Sequence, residues 1–95
     1  MNQSVYATVT TQEENEIELT LDVDFTLSKE WDDFRKWQEI DINEVVINID
    51  KEDAEVILAE GIKKIVTGEL CETDTNIEYF FGSIENFITE LEKVV

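Results

Sequence analysis

The chemistry open to this chain is carboxylate chemistry. It holds 24 Asp and Glu against 7 Lys and Arg, one cysteine and no histidine. Without histidine there is no Ser-His-Asp or Cys-His catalysis, no imidazole base and almost no route to a zinc site. Ser28 and Ser83 have no base partner and read as helix caps. Cys71, flanked by Glu69 and Glu72, reads as a small packing residue. A lone cysteine excludes an internal disulfide and fits a reducing cytoplasm. Glycoside chemistry needs a carboxylate pair in a concave pocket, and among this many acids no pair stands out. Asp22-x-Asp24 and Asp50-x-x-Asp53 offer hard oxygen ligands. No segment follows the Asp/Asn, Gly and distal Glu order of a Ca²⁺ loop, and Asp50 and Asp53 suit a helix start better. The expectation is therefore no catalytic residue, no metal ligand, no cofactor and no enzymatic activity.

What the carboxylates can do together is present charge. Ile17, Leu19, Leu21, Val23, Phe25 and Leu27 occupy every second position, and Glu16, Glu18, Asp22 and Asp24 fall on the opposite face, interleaved by Thr20 and Thr26. Same-face neighbours on a strand lie about 6.6 to 6.8 Å apart, comparable with successive phosphates along a nucleic-acid strand. A solvated strand face must be polar, but Asp and Glu are depleted in strands, so this row exceeds what solvation asks for. The row is the first candidate for partner binding. Asp32, Asp33, Glu69, Glu72, Asp74 and Glu78 are secondary acidic candidates. Trp31, Phe34 and Trp37 read first as a core-facing stripe, at least two of them; the alternative is an apolar anchor on Trp31 and Trp37 inside a rim of Asp32, Asp33, Glu39 and Asp41, since tryptophan is enriched at binding hot spots.

The net charge is −17. A compact chain of this mass exposes roughly 5,600 Å², or one net charge per about 330 Å², well beyond what solubility needs. Self-repulsion on that scale weakens the folded state. Nucleic acid and anionic membranes are repelled, so neither is an expected partner. A basic surface on another protein, probed by long-range attraction, is the natural complement. In size, charge and layout the chain resembles the phage-encoded and mobile-element DNA mimics that block restriction, CRISPR or repair enzymes, a resemblance of overall character rather than of any aligned motif. It implies an anti-defence inhibitor, of anti-restriction or anti-CRISPR type, whose carboxylates stand in for phosphates. The alternatives are an immunity or antitoxin-type protein that neutralises a basic toxic nuclease, and a small structural domain whose acidity is incidental.

These residues need elements to hold them. Val5 to Thr10 alternates and is β-branched, Gln12 to Asn15 connects, and 17–27 is a long half-buried strand, so the two pair as an antiparallel hairpin. Ser28 caps a short helix with Trp31, Phe34 and Trp37 along one side. Glu44 to Ile49 is a third strand. Asp50 opens a helix over about 51–67, with Glu52, Asp53 and Glu55 at its start, Lys63 and Lys64 in its last turn and Gly68 as its stop. Residues 69–76 are polar, with Leu70 and Cys71 opening a strand. Ile77 to Phe81 is a last strand, and Ser83 caps a C-terminal amphipathic helix; alternatively 77–95 is one longer helix broken at Gly82. The order β-β-(α)-β-α-β-α gives a single α+β domain over 1–95, a mainly antiparallel sheet of about four strands with two or three helices on one face. No apolar run is long enough to span a bilayer, and Met1 to Ser4 lacks the charge and apolar stretch of a secretory signal. The edge at 5–10 leaves monomer or homodimer open.

Overall fold

A computed structural model describes the backbone of residues 1–32 and 35–95, and side chains outside residues 28–38. The alternating segments pair as the pattern requires. β1 (Asn2–Thr11) and β2 (Glu16–Asp32) form an antiparallel hairpin in which Val5 faces Leu21 and Val9 faces Ile17. Its loop closes through Glu14 N–H donating to the Thr11 carbonyl, with Glu14 itself at φ 65°. β3 (Arg35–Asn48) returns antiparallel along β2 from Asp32↔Arg35 to Thr20↔Asn48, with a bulge at Asn43.

The helix expected after Ser28 is therefore not formed. The described backbone on either side of Asp33 and Phe34 is extended, and Glu30 pairs with Trp37 and Trp31 with Lys36. Aromatic residues three apart mimic a helical stripe, but β2 offers β3 a continuous ladder and the pairing wins. The anchor proposed on Trp31 and Trp37 lies outside the described side chains, as does Asp32. Asp33 and Phe34 lie outside the described residues altogether.

α1 (Lys51–Glu60) starts after Asp50 as expected, but ends at Gly61 rather than near residue 67. Gly61 sits at φ 82°, a conformation a side chain would strain, and its N–H returns to the Ile57 carbonyl at 2.9 Å. The β-branched stretch beyond it becomes β4 (Ile62–Thr67), which pairs with β1 from Ala7 to Thr11. Lys63 and Lys64 are strand residues, and the edge of β1 expected to be open is largely covered. The sheet order is β3-β2-β1-β4.

β5 (Glu69–Leu70) and β6 (Thr73–Asp74) form a small hairpin whose turn residues, Cys71 and Glu72, both take positive φ, at 51° and 63°. That is the geometry of a two-residue turn matched to strand twist. Ile77 to Phe81 is not a strand. It is α2 (Ile77–Phe81), started by the Asn76 side chain accepting from Tyr79 N–H at 2.9 Å and ended at Gly82. α3 (Ile84–Glu92) follows, with Ser83 Oγ accepting from Asn86 N–H at 3.1 Å. The broken-helix alternative is the one adopted.

The sheet's inner face, the three helices and Leu70 of β5 share one core: Val5, Ala7, Val9, Leu19, Leu21, Val23 and Phe25 cluster with Ala54, Ile57, Leu70, Ile77, Phe80, Phe87 and Leu91. The fold is α+β, a four-stranded antiparallel sheet with helices on one face. Its long axis reaches 52 Å and its radius of gyration is 15.1 Å, above the about 12 Å of a compact chain this long. β2 and β3 run on beyond the end of β1 as a two-stranded arm, so the surface is 6390 Å², larger than a sphere-like chain would expose. No described helix is long and apolar enough to cross a membrane.

Candidate protein-binding face

With the helices on one side, the other side of the sheet stays open, and the strand period decides what it shows. On β2 the open face carries Glu16, Glu18 and Asp22, all exposed, and Asp24, partly exposed, while Ile17, Leu19, Leu21, Val23 and Phe25 are buried beneath. All four predicted acids thus share one surface. Register with β3 adds three more, because Glu44 lies directly across from Asp24, Asp41 from Thr26 and Glu39 from Ser28. Like charges directly opposite destabilise a sheet, so the Asp24–Glu44 pair has no local structural benefit. Register with β1 and β4 places Lys64 beside Thr10 at the far end of the same face.

The acids are not equally free. Ser4 Oγ donates to Asp22 Oδ1 at 2.8 Å, and Asn48 Nδ2 donates to the other oxygen. Asp22 is therefore clamped between β1 and β3, with carboxylate lone pairs still available to a partner. The Met1 ammonium lies 3.8 Å from Asp24. A shallow depression lined by Asn2, Ser4, Asp22, Asp24, Glu44 and Val46 sits at this point. A second is lined by Tyr6, Glu18, Thr20, Asn48, Asp50 and Asp53, so the start of α1 adds its acids to the end of the strand row. Apolar groups punctuate the face: Tyr6 is 76% exposed, Val66 52% and Val46 46%.

The secondary candidates separate from this face. Glu69, Glu72, Asp74 and Glu78 are exposed on the β5–β6 hairpin and α2, and Gln3 ties the hairpin to the start of β1 through Glu69 O and Cys71 N–H. Cys71 is half-buried there, a free thiol beside the Gln3 carboxamide. Asp50 holds the position before α1 but makes no side-chain cap bond, so its acid is not consumed by the helix.

One carboxylate has a clear structural task. Glu60 accepts from Thr11 Oγ1 at 2.6 Å and from Asn15 Nδ2 at 2.8 Å, joining α1 to the β1–β2 loop. These bonds, Thr11 first, hold its carboxyl below the ordinary value of 4.5. Among the described residues no three Asp, Glu, Cys or His side chains gather as a metal site. Sequence reasoning missed Glu44, Tyr6 and Val46 as members of the face. Glu44 alternates with Val45 and Ile47, which marks it as exposed, but only register puts it beside Asp24. No family model, curated protein or solved structure matches the chain.

Proposed function

We propose that this is an acidic inhibitor that acts in the cytoplasm and covers the nucleic-acid-binding surface of a basic protein or nuclease, its carboxylates standing in for phosphates. The observation that carries this reading is the gathering of Glu16, Glu18, Asp22, Asp24, Glu39, Asp41 and Glu44 on one open sheet face backed by a packed core. A rigid sheet holds carboxylates at fixed spacing and so pays little ordering entropy on binding. The concentrated field steers a basic partner into encounter and repels nucleic acid and anionic lipid. No catalytic step, cofactor or metal enters this account. An anti-restriction or anti-CRISPR role is the form suggested by the resemblance to phage-encoded mimics.

A second reading, an immunity protein for one toxic nuclease, is favoured by Tyr6, Val46 and Val66. Apolar groups among the acids reward a partner of matching shape, which pure charge does not. The test is capture from a bacterial lysate at low and high salt, followed by competition of the captured protein against DNA. A nucleic-acid-binding protein that loses its DNA as this protein is added supports the proposal. A broad set of basic proteins, all released together by salt and none losing DNA, contradicts it and leaves the acidity incidental.

A further inference from the structure

β3 ends the sheet on one side, so the outward edge of its described residues, Glu39–Asn48, has no strand beside it. Beside that edge runs a groove between β3 and the α2–α3 pair. Its walls are mixed: half-buried Ile42, Val45 and Ile47 from the strand, Phe81 from α2 and Val94 from the turn after α3, with Glu44, Asn86, Glu90 and Lys93 among them. An open edge next to a trough that holds apolar side chains within a charged rim is a geometry that accepts an added strand: main-chain bonds give affinity and alternate side chains enter the groove. Natural sheets deter such pairing with charges and bulges, and this edge has both, in Glu39, Asp41, Glu44 and the Asn43 bulge. Those charges repel a second copy, which brings its own −17, but they attract a strand of opposite sign.

Resting on the reading of a basic partner, we propose that an extended segment of that partner, with Lys or Arg alternating with apolar residues, adds to the free edge of β3 as a fifth strand. Strand alternation fixes what each position meets. The basic side chains lie on the open face beside Glu39, Asp41 and Glu44, and the apolar ones enter the trough lined by Ile42, Val45, Ile47, Phe81 and Val94. The added strand continues the acidic face, so the partner's charge is read by register as well as by attraction.

The probe is a peptide of about eight residues, an ordinary strand length, alternating Lys and Val, compared with a peptide of the same composition in two blocks. Hydrogen exchange of the full chain is followed at the amides of Glu44–Asn48. The expected result is tighter binding of the alternating peptide, with exchange along this stretch slowed about tenfold by closure of the edge. Charge reversal by Asp41→Lys with Glu44→Lys, both surface positions, should cut that binding about tenfold while leaving the fold intact. Equal binding of both peptides with no protection at β3 overturns the strand addition and leaves the acidic-face reading standing. No binding of either peptide at low salt overturns the inference as well, while DNA competition by the captured partner still decides the acidic-face reading separately.

Discussion

The two faces of β2 are made by one strand, and they are under different demands. The inner face, Ile17 to Phe25, is sealed against the helices, with Leu21 and Val23 at 0% exposure. The outer face carries Glu16, Glu18, Asp22 and Asp24, and among the described residues only Asp22 and Asp24 have local partners. The inner residues account for the fold. The outer ones place like charges in rows and across from Glu44, a repulsion that works against the fold. The proposed binding role gives this acidity a reason that the fold does not, since apart from the Asp22 bonds the outer row brings little structural return.

The contrast predicts unequal costs of substitution. Leu21→Ala, on the sealed face, should destabilise by about 2–5 kcal/mol, read as a lowered midpoint in urea. Neutralising the outer row, Glu16→Gln, Glu18→Gln, Asp22→Asn and Asp24→Asn together, should move stability by no more than about 1 kcal/mol, because lost Asp22 bonds are offset by relieved repulsion. It should also flatten the rise of melting temperature between low and moderate NaCl, since screening to about 8 Å leaves less repulsion to remove. A loss as large as that of Leu21→Ala would make the outer row structural and dissolve the contrast.

Smaller effects sharpen it. Glu52 and Asp53 lie in the first turn of α1, where the helix terminus favours negative charge. Their neutralisation should cost about 0.3–1 kcal/mol each, opposite in sign to relief of repulsion on the strand. Glu60 supplies the pH test. Its carboxyl is held low by Thr11 and Asn15 in the folded chain, so it binds fewer protons there than when unfolded. The stability it contributes is full above 4.5 and lost as pH falls through its lower folded value. Wild type should therefore exceed Glu60→Gln in stability near neutrality and converge with it in acid. A constant gap across that range would assign the effect to packing instead.

Much of this was legible in the chain. The alternation over 17–27 gave both the strand and the division of its faces, and the four acids needed no more than that period. Ser83 begins α3 through the cap its type predicts, and Asp50 marks the start of α1 without a side-chain cap bond, whereas the Asn76 cap went unread because three consecutive aromatics made 77–81 look like a strand. The boundary at Gly61 lost to Gly68 because Ile62 and Ile65 continue a helical spacing, and only pairing with β1 makes them a strand. The same long-range preference turned the segment after Ser28 into the arm of a hairpin. Glu44, Asp50 and Asp53 join the face through register and packing, which no local window contains.

The central claim is that the outer row binds a basic partner as a charged surface. Its most direct test is the association rate, measured across a range of salt, of the captured partner with wild type and with the four-acid neutralised variant. The account predicts slower association for the variant and a shallower dependence on salt, with dissociation changed less. An unchanged association rate and salt slope would contradict it and remove this face from the binding surface.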